Sequence, residues 1–326
     1  MKKLLKSLLL MLLFLVVILF ASFGYAYTQF QPVNSSQNQK ATFVIPHGQS
    51  ISVIGQRLQD QGLIKNALAF RFIVWQHKLG DKVQAGSFML SPSMSVDEVA
   101  QQLTTGTNDV WVTVLEGWRT EEIADMLDEQ NLANFDRQQF LDLAKGQEGY
   151  LFPDSYLVSR TATADMVYTL LRETFDKKIT QGLKQPIAQS GQKLSDIIIL
   201  ASIVQREARE FDQMKLVAGI LQNRLNKGMG LNVDATLQYA KGYDPILKTW
   251  WPQPLTADKE SNSPFNSYKF AGLPPHPISN PGLEAIQAAL TPQKTNALYY
   301  IHDRQGTIHT AVTLDEQTRN VNQYLR

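Results

Sequence analysis

The residues best suited to chemistry lie at the end of Leu200-Ala201-Ser202-Ile203-Val204-Gln205-Arg206-Glu207, where an apolar helical stripe runs down to one carboxylate. A carboxyl group set in apolar surroundings is disfavoured as an anion, so its pKa is expected to rise toward the range useful for donating a proton. This is the chemistry of a general acid of the kind that cleaves glycosidic bonds. Asp196, Ile199, Leu200, Ile203 and Glu207 follow three- and four-residue steps and share a helix face, while Gln205, Arg206 and Arg209 lie off it. A plainer reading stands beside this one. Arg206, Arg209 or Arg224 could neutralise Glu207 in a structural ion pair, because such networks perturb carboxylates as active sites do.

Helices must position the acid. Ser195 occupies the expected N-cap, with Asp196 in the first turn. A second helix is expected behind Asp212, with Met214, Val217, Ala218, Leu221 and Leu225 on one face and a stop near Gly228. The two make a helical hairpin with Glu207 near its turn.

At the N-terminus, Lys2, Lys3 and Lys6 precede a charge-free run from Ser7 to Tyr27, close to the ~20 residues a helix needs to cross the hydrocarbon core. The positive flank predicts a cytoplasmic N-terminus and a body on the far side of the membrane. A cleaved signal peptide competes, with Leu8 to Phe20 as its apolar region and Gly24-Tyr25-Ala26 as a loose cleavage site. Bulky Phe23, Tyr25 and Tyr27 favour a retained anchor. With 326 residues, 44% hydrophobic and 10% aromatic, the chain can build one or two cores beyond it.

The formal net charge of +1 and the lack of a basic stripe argue against a nucleic-acid partner. Zero cysteines exclude disulfides, thiol catalysis and thiolate metal sites. The five histidines, His47, His77, His276, His302 and His309, lack the helical spacing of a zinc site, so no metal is expected. There is no phosphate-binding loop, dinucleotide fingerprint or G-x-S-x-G elbow, and no cofactor is expected.

Gln31 to Gln39 reads as a polar linker. A strand is expected at Ala41 to Ile45, then the Pro46-His47-Gly48 turn, then a helix capped by Ser50 with Ile51, Ile54 and Leu58 inward and Gly62 at its end. A second helix should follow Asn66 with Phe70, Val74 and Trp75 or their neighbours inward, and Phe88 to Leu90 should return as a strand. Ser95 and Glu98 box a further helix that ends before Gly106. This strand-helix-helix-strand order is similar to a LysM-type module, a small glycan-binding fold, and equally to a generic α+β packing domain.

Val110 to Leu115 alternates with both faces mostly apolar and predicts a strand inside a sheet. Helices are expected from Thr120 and over Phe135 to Lys145, then a proline-pinned aromatic turn at Glu148 to Tyr156, then a long helix through Met166, Leu170, Leu171 and Phe175. From Gly228 to Asn280 the pattern is irregular yet holds Tyr239, Tyr243, Trp250, Trp251, Phe265 and Tyr268. Such rings suit either stacking on sugar faces or pinning the segment to the body. Asn280 and Pro281 should open a helix, Leu298 to His302 and Thr307 to Ala311 should pair about Gly306, and Thr313 with Glu316 should box the last helix.

In chain order, the Glu148 to Tyr156 turn, Leu200 to Glu207, Leu231-Asn232-Val233-Asp234-Ala235-Thr236, Asn262-Ser263-Pro264-Phe265-Asn266-Ser267-Tyr268 and Gly272-Leu273-Pro274-Pro275 resemble the signatures of the YceG-like family of endolytic murein transglycosylases. The resemblance implies an α+β protein with a single N-terminal transmembrane helix (1–30), a linker (31–40), a small LysM-like module (41–106) and a larger mixed α/β catalytic domain (107–326) in which a helical hairpin carries the acid. It also implies a single-pass inner-membrane lyase whose periplasmic body cuts MurNAc–GlcNAc bonds within peptidoglycan strands, beside peptidoglycan synthases. The family's catalytic glutamate, the second acid of an Ile-Val-Glu-Lys-Glu pattern, falls on Glu207, and Gln205 stands where the first acid would be. Other departures are Ser155 for Thr, Phe265 for Tyr and His276 for Gly.

Asp154, Asp234, Thr236, Tyr239, Asn266 and Tyr268 form the expected substrate-binding set, though each could instead order its own loop. One acid suffices if the C6 hydroxyl of the same MurNAc attacks. Glu207 would donate a proton to the glycosidic oxygen and then accept one from that hydroxyl, closing a 1,6-anhydro ring without water. Two alternatives stay open: a hydrolytic muramidase with Asp154 as second carboxylate, and a membrane-anchored, non-catalytic peptidoglycan-binding scaffold.

Overall fold

The computed structural model describes residues 2–37, 39–46, 48–105 and 109–325, with the side chains of its first helix described at 14–16 and 18–28. His47, in the expected turn, and Gly106, at the expected helix end, lie outside the described residues. The chain divides into two units, Met1–Trp111 with Leu157–Arg160, and Val112–Tyr156 with Thr161–Arg326.

The first unit opens with α1 (Lys2–Thr28). It continues through β1 (Ala41–Ile45), α2 (Ile51–Asp60), α3 (Ala67–Gln76), β2 (Gly86–Leu90) and α4 (Val96–Gln102). Short-range signals set these boundaries. Ser50 accepts from the Val53 amide, Asn66 from those of Leu68 and Ala69, and Ser95 and Glu98 complete a capping box. β1 and β2 pair antiparallel from Ala41 opposite Leu90 to Ile45 opposite Gly86. Phe43, Ile54, Leu58, Phe70, Val74, Leu90 and Leu103 fill the core between them and the helices. Trp75 is 74% exposed, and its neighbour Ile73 takes the inward position.

Among the described residues no helix is long and apolar enough to cross a membrane. The described side chains of α1 begin at Phe14, within the apolar run that starts at Ser7. The segment read as a linker does not hang free. Its Asn34 amide donates to Pro92 O at 3.0 Å, and its Gln37 carbonyl accepts from Ser91 Oγ at 2.8 Å.

β3 (Asp109–Thr113) pairs only with β4 (Ser155–Ser159) among the described residues, a two-stranded ladder rather than the interior of a sheet. Val112 and Val114 are buried, whereas Leu115 is 50% exposed, so one face of the alternation is not core.

The second unit contains α5 (Thr120–Glu129), α6 (Arg137–Leu143), α7 (Ala164–Phe175), a π-helical turn (Asp176–Gln181) and α8 (Lys184–Ser190). Then come α9 (Leu194–Glu207), α10 (Phe211–Asn226), α11 (Asp234–Lys241), a 3₁₀ turn (Thr256–Glu260), α12 (Leu283–Leu290), β5 (Tyr299–His302), β6 (Ile308–Ala311) and α13 (Leu314–Tyr324). α9, α10 and α12 pack together as its centre. Every residue of α9 from Ile197 to Val204 is buried, so this helix is enclosed on all sides rather than along one stripe. Lys193, not Ser195, stands at its N-cap. On α7 the buried face is Ala164, Val167, Leu171 and Phe175, and Met166 turns outward at 55% exposure.

Two other expectations are corrected. The irregular stretch after Gly228 contains α11, a helix too short to show a clear period. Asn280 caps nothing: α12 begins at Leu283 behind Gly282, and Asn280 is fully buried. Its Oδ1 accepts from the amides of Gly149 (3.0 Å) and Leu151 (2.9 Å), while its Nδ2 donates to Trp118 O (3.1 Å) and Glu148 Oε1 (2.8 Å). The turn it holds needs glycine at 149, where φ is +88° and a Cβ would sit 2.6 Å from Pro277 and 2.9 Å from Ile198.

Candidate active site

Glu207 is the last residue of α9, and Ala208 leaves the helix in extended conformation at φ −139°. Three residues then lead into α10, forming the helical hairpin. The carbonyl end of a helix disfavours an anion, and the apolar body of α9 lies behind it. Burial pushes the Glu207 carboxyl above the usual carboxylate range; the charge of Asp234 adds to this, and a hydrogen bond from Tyr300 and the charge of Arg206 oppose it. The side chain is half-buried, so it keeps a route to solvent.

The structural ion-pair reading requires an arginine on Glu207, and among the described residues none makes that contact. Arg206 lies over the Trp251 ring at 3.7 Å and reaches Gly117 O at 3.4 Å. Arg224, buried, donates to Gly230 O at 2.8 Å and Leu298 O at 3.1 Å. Arg209 is exposed. Instead the Tyr300 hydroxyl, on β5, donates to Glu207 Oε2 at 2.8 Å. Burial first, and the neighbouring carboxylate second, hold that phenol far above its ordinary pKa, so it remains a neutral donor. With Oε2 occupied, Oε1 is the oxygen left to carry and release a proton.

A second pair forms beside it. Tyr268 OH donates to Asp234 Oδ1 at 2.6 Å. Asp234 is the first residue of α11, where an acid complements the helix dipole. Two sequence motifs are sewn together beneath this pair: Ser267 O accepts from the Asn232 amide at 3.1 Å, and Ser267 Oγ accepts from the Val233 amide at 3.0 Å and lies 2.8 Å from Thr236 Oγ1. Thr236 and Asn266 are fully buried. Thr236 donates to Val233 O, while Asn266 Nδ2 donates to the carbonyls of Lys259 and Ser261 and its Oδ1 accepts from the Tyr268 amide. Both side chains order the loop that presents Asp234 and Tyr268.

The remaining expected residues lie elsewhere. Asp154, half-buried between Phe152 and Tyr156, pairs with Lys178 at 2.6 Å and is not among the groups that shift Glu207. Tyr239 lies beneath the Arg119 guanidinium at 4.1 Å and against the rings of Phe265 (4.9 Å) and His276 (5.8 Å). Trp250 and Trp251 donate through Nε1 to Asp125 at 3.2 Å and Glu122 at 2.9 Å. These rings therefore pin the loop after α11 onto α5 and α9.

Tyr300 was not among the expected site residues, and Ser267 stood in a motif without a role. Leu298 to His302 was expected as one strand of a pair about Gly306, but nothing in it related residue 300 to an acid 93 positions earlier. Among the described residues no group of histidine and acid side chains could hold a metal ion.

A sequence profile of the YceG-like family matches residues 43–323 of this chain. The chain belongs to the YceG-like family. It is 28% identical to the endolytic murein transglycosylase of Bacillus subtilis over 95% of its own length and 91% of that protein. It is 26% identical to the endolytic murein transglycosylase of Streptococcus pneumoniae over 93% of its length, spanning 62% of that longer relative. The crystal structure of a YceG-like protein from Listeria monocytogenes aligns with a TM-score of 0.57 at 28% identity, covering 86% of this chain and 98% of that one.

Three departures from the YceG-like motif pattern have local partners. Gln205 Oε1 accepts from the Gly282 amide at 2.9 Å, and its side chain also bonds Glu116, a carboxyl raised by burial and by Glu284. A glutamate at 205 would set a second carboxylate against Glu116; the amide supplies a donor instead. Phe265 and His276 pack on each other, ring centroids 4.6 Å apart, so the two departures share one cluster.

Proposed function

We propose that this protein is a lytic transglycosylase that cuts peptidoglycan strands internally, a lyase leaving 1,6-anhydro-MurNAc ends. One observation carries the reading: a half-buried glutamate at a helix C-terminus, raised by burial, unpaired by any arginine among the described residues and held through one oxygen by Tyr300. Relatives named as endolytic murein transglycosylases, matched over most of the chain, support the substrate class.

In the proposed mechanism Glu207 Oε1 protonates the glycosidic oxygen as the bond to C1 breaks. The resulting carboxylate is stabilised by the Tyr300 hydroxyl and by the charge of Arg206. It then takes the proton of the C6 hydroxyl as that oxygen bonds to C1 of the same sugar, which returns the acid to its starting state. Intramolecular attack benefits from proximity, so a second carboxylate is not required. Asp234 and Tyr268 are assigned to sugar contacts and Thr236 and Asn266 to ordering the loop beneath them; Tyr239, packed under Arg119, and Asp154, paired with Lys178, are assigned no sugar contact. We assign α1 to a single pass through the inner membrane, with the cytoplasm on the lysine-rich side, and the first unit's β1-α2-α3-β2 module to a LysM-like role. Peptidoglycan synthases are the assigned partners.

Mass analysis of the products from purified glycan strands tests the reaction. Anhydro ends from the parent and none from Glu207→Gln are the expected result; new reducing ends would mean hydrolysis, and no cleavage by the parent would mean a scaffold.

A further inference from the structure

We propose that the outward face of α3 is a lipid-contact surface, seating Leu68, Phe72 and Trp75 in the outer headgroup layer of the bilayer crossed by α1. The inference rests on the reading of α1 as an anchor. Residues 68, 72 and 75 follow helical steps of four and three, so they share one face, and they are 67%, 47% and 74% exposed. With Arg71, Lys78 and Asp81 they border an open groove of about 1050 Å³. Glu207 does not line this groove.

A ring chain joins this face to the end of α1. The Phe30 and Phe72 centroids are 5.9 Å apart, as are those of Phe72 and Trp75. Phe30 follows Tyr27, the end of the run read as the anchor, by three positions, and its amide donates to Tyr27 O at 3.2 Å. The Phe30 carbonyl accepts from the Val96 amide at 3.1 Å, and Lys65 Nζ reaches Thr28 O at 3.4 Å. The module is thus tied directly to the helix end. Ten residues of α3 extend about 15 Å, so its whole face stays near the level at which α1 leaves the hydrocarbon.

The side chains suit that level. Tryptophan and phenylalanine beside cations are the composition of a membrane-water interface, where rings sit among headgroups and Arg71 and Lys78 reach phosphates with their stems in the apolar layer. Tyr25 and Tyr27, 71% and 61% exposed near the end of α1, complete an aromatic belt with them. An exposed apolar face of this kind on a water-soluble surface would otherwise invite association.

The chain has no cysteine, so single-cysteine spin labels need no background removal. The full chain, reconstituted in vesicles of phosphatidylethanolamine and phosphatidylglycerol, is labelled through Leu68→Cys or Trp75→Cys, with Leu19→Cys and Gln56→Cys as references. Collision with oxygen relative to an aqueous nickel chelate is then read for each. Labels at 68 and 75 should show a ratio several-fold above that at 56 and below that at 19. If 19 is lipid-buried while 68 and 75 match 56, the anchor stands and the surface proposal falls. A water-exposed label at 19 removes the anchor and this proposal together. Protection of 68 and 75 by added glycan strands but not by lipid would make the face a sugar platform and overturn the lipid assignment.

Discussion

Two glutamates in the second unit, Glu148 and Glu207, are both raised above the ordinary carboxylate range by burial, yet they differ in what their oxygens are doing. Glu148 is 6% exposed and pushed up to about 8, by burial first and the charge of Glu121 second. Both its oxygens lie 3.2 Å from the Thr120 amide, and Oε1 also accepts from Asn280. Among the described residues Glu207 keeps one oxygen uncommitted on a half-buried side chain. A shifted pKa therefore does not by itself mark a catalytic acid. In the proposed mechanism the distinguishing feature is spare hydrogen-bonding capacity: Glu148 has used its capacity to hold a turn, and among the described residues Glu207 has kept half of it.

The largest effect that tests this contrast is Glu207→Gln, which preserves shape and removes the proton. It should lower strand cleavage by about 10³-fold or more, since the same group serves both proton transfers, with circular dichroism and melting temperature near those of the parent. An active variant would remove Glu207 from the mechanism.

Tyr300→Phe should come next, at roughly 10- to 100-fold in kcat, because it frees Glu207 Oε2. The Tyr300 bond lowers the Glu207 pKa, so its loss raises it further. The alkaline limb of the pH-rate profile, where the acid loses its proton, should move to higher pH. A simple loss of stability with no movement of that limb would assign Tyr300 to packing alone.

Glu148→Gln should change cleavage only a few-fold. Its signature is in stability. In the parent, Glu148 holds its proton in the folded state up to about pH 8, while the unfolded chain loses it near 4.5. The folded state therefore binds more protons across that window, and stability falls as pH rises through it. The glutamine variant should lack this contribution, on the order of a few kcal/mol between pH 5 and 8, read as a smaller drop in melting temperature. If it abolishes cleavage while folding normally, the contrast between the two glutamates is broken.

Asp234→Asn carries the smallest expected effect. The charge of Asp234 raises the Glu207 pKa, so its removal should move the alkaline limb to lower pH. A rise in KM without that movement would limit Asp234 to binding sugar.

What was legible in the sequence follows the range of the forces involved. The caps at Ser50, Asn66, Ser95 with Glu98, and Thr313 with Glu316 were readable because a side chain and the amide it accepts from lie within three residues. The α9-α10 hairpin and the terminal β5-β6 pair were readable from periodicity and glycine stops. Asn280 was misread by the same logic, since its residue type suits a local cap while its four bonds run to residues more than a hundred positions away. Of Trp75 and its neighbours, Ile73 takes the inward place and Trp75 turns out, a choice set by how α3 packs rather than by its local run.

The sequence by itself determined the helix that ends on the carboxylate at 207 and the hairpin that follows it, because period and capping act over a few residues. Only the tertiary structure decided that Arg206 and Arg224 turn to aromatic and carbonyl partners, that Tyr300 takes one oxygen of Glu207, and that Asp234 meets Tyr268. Those contacts join distant positions through packing, and packing depends on the whole core rather than on any local run.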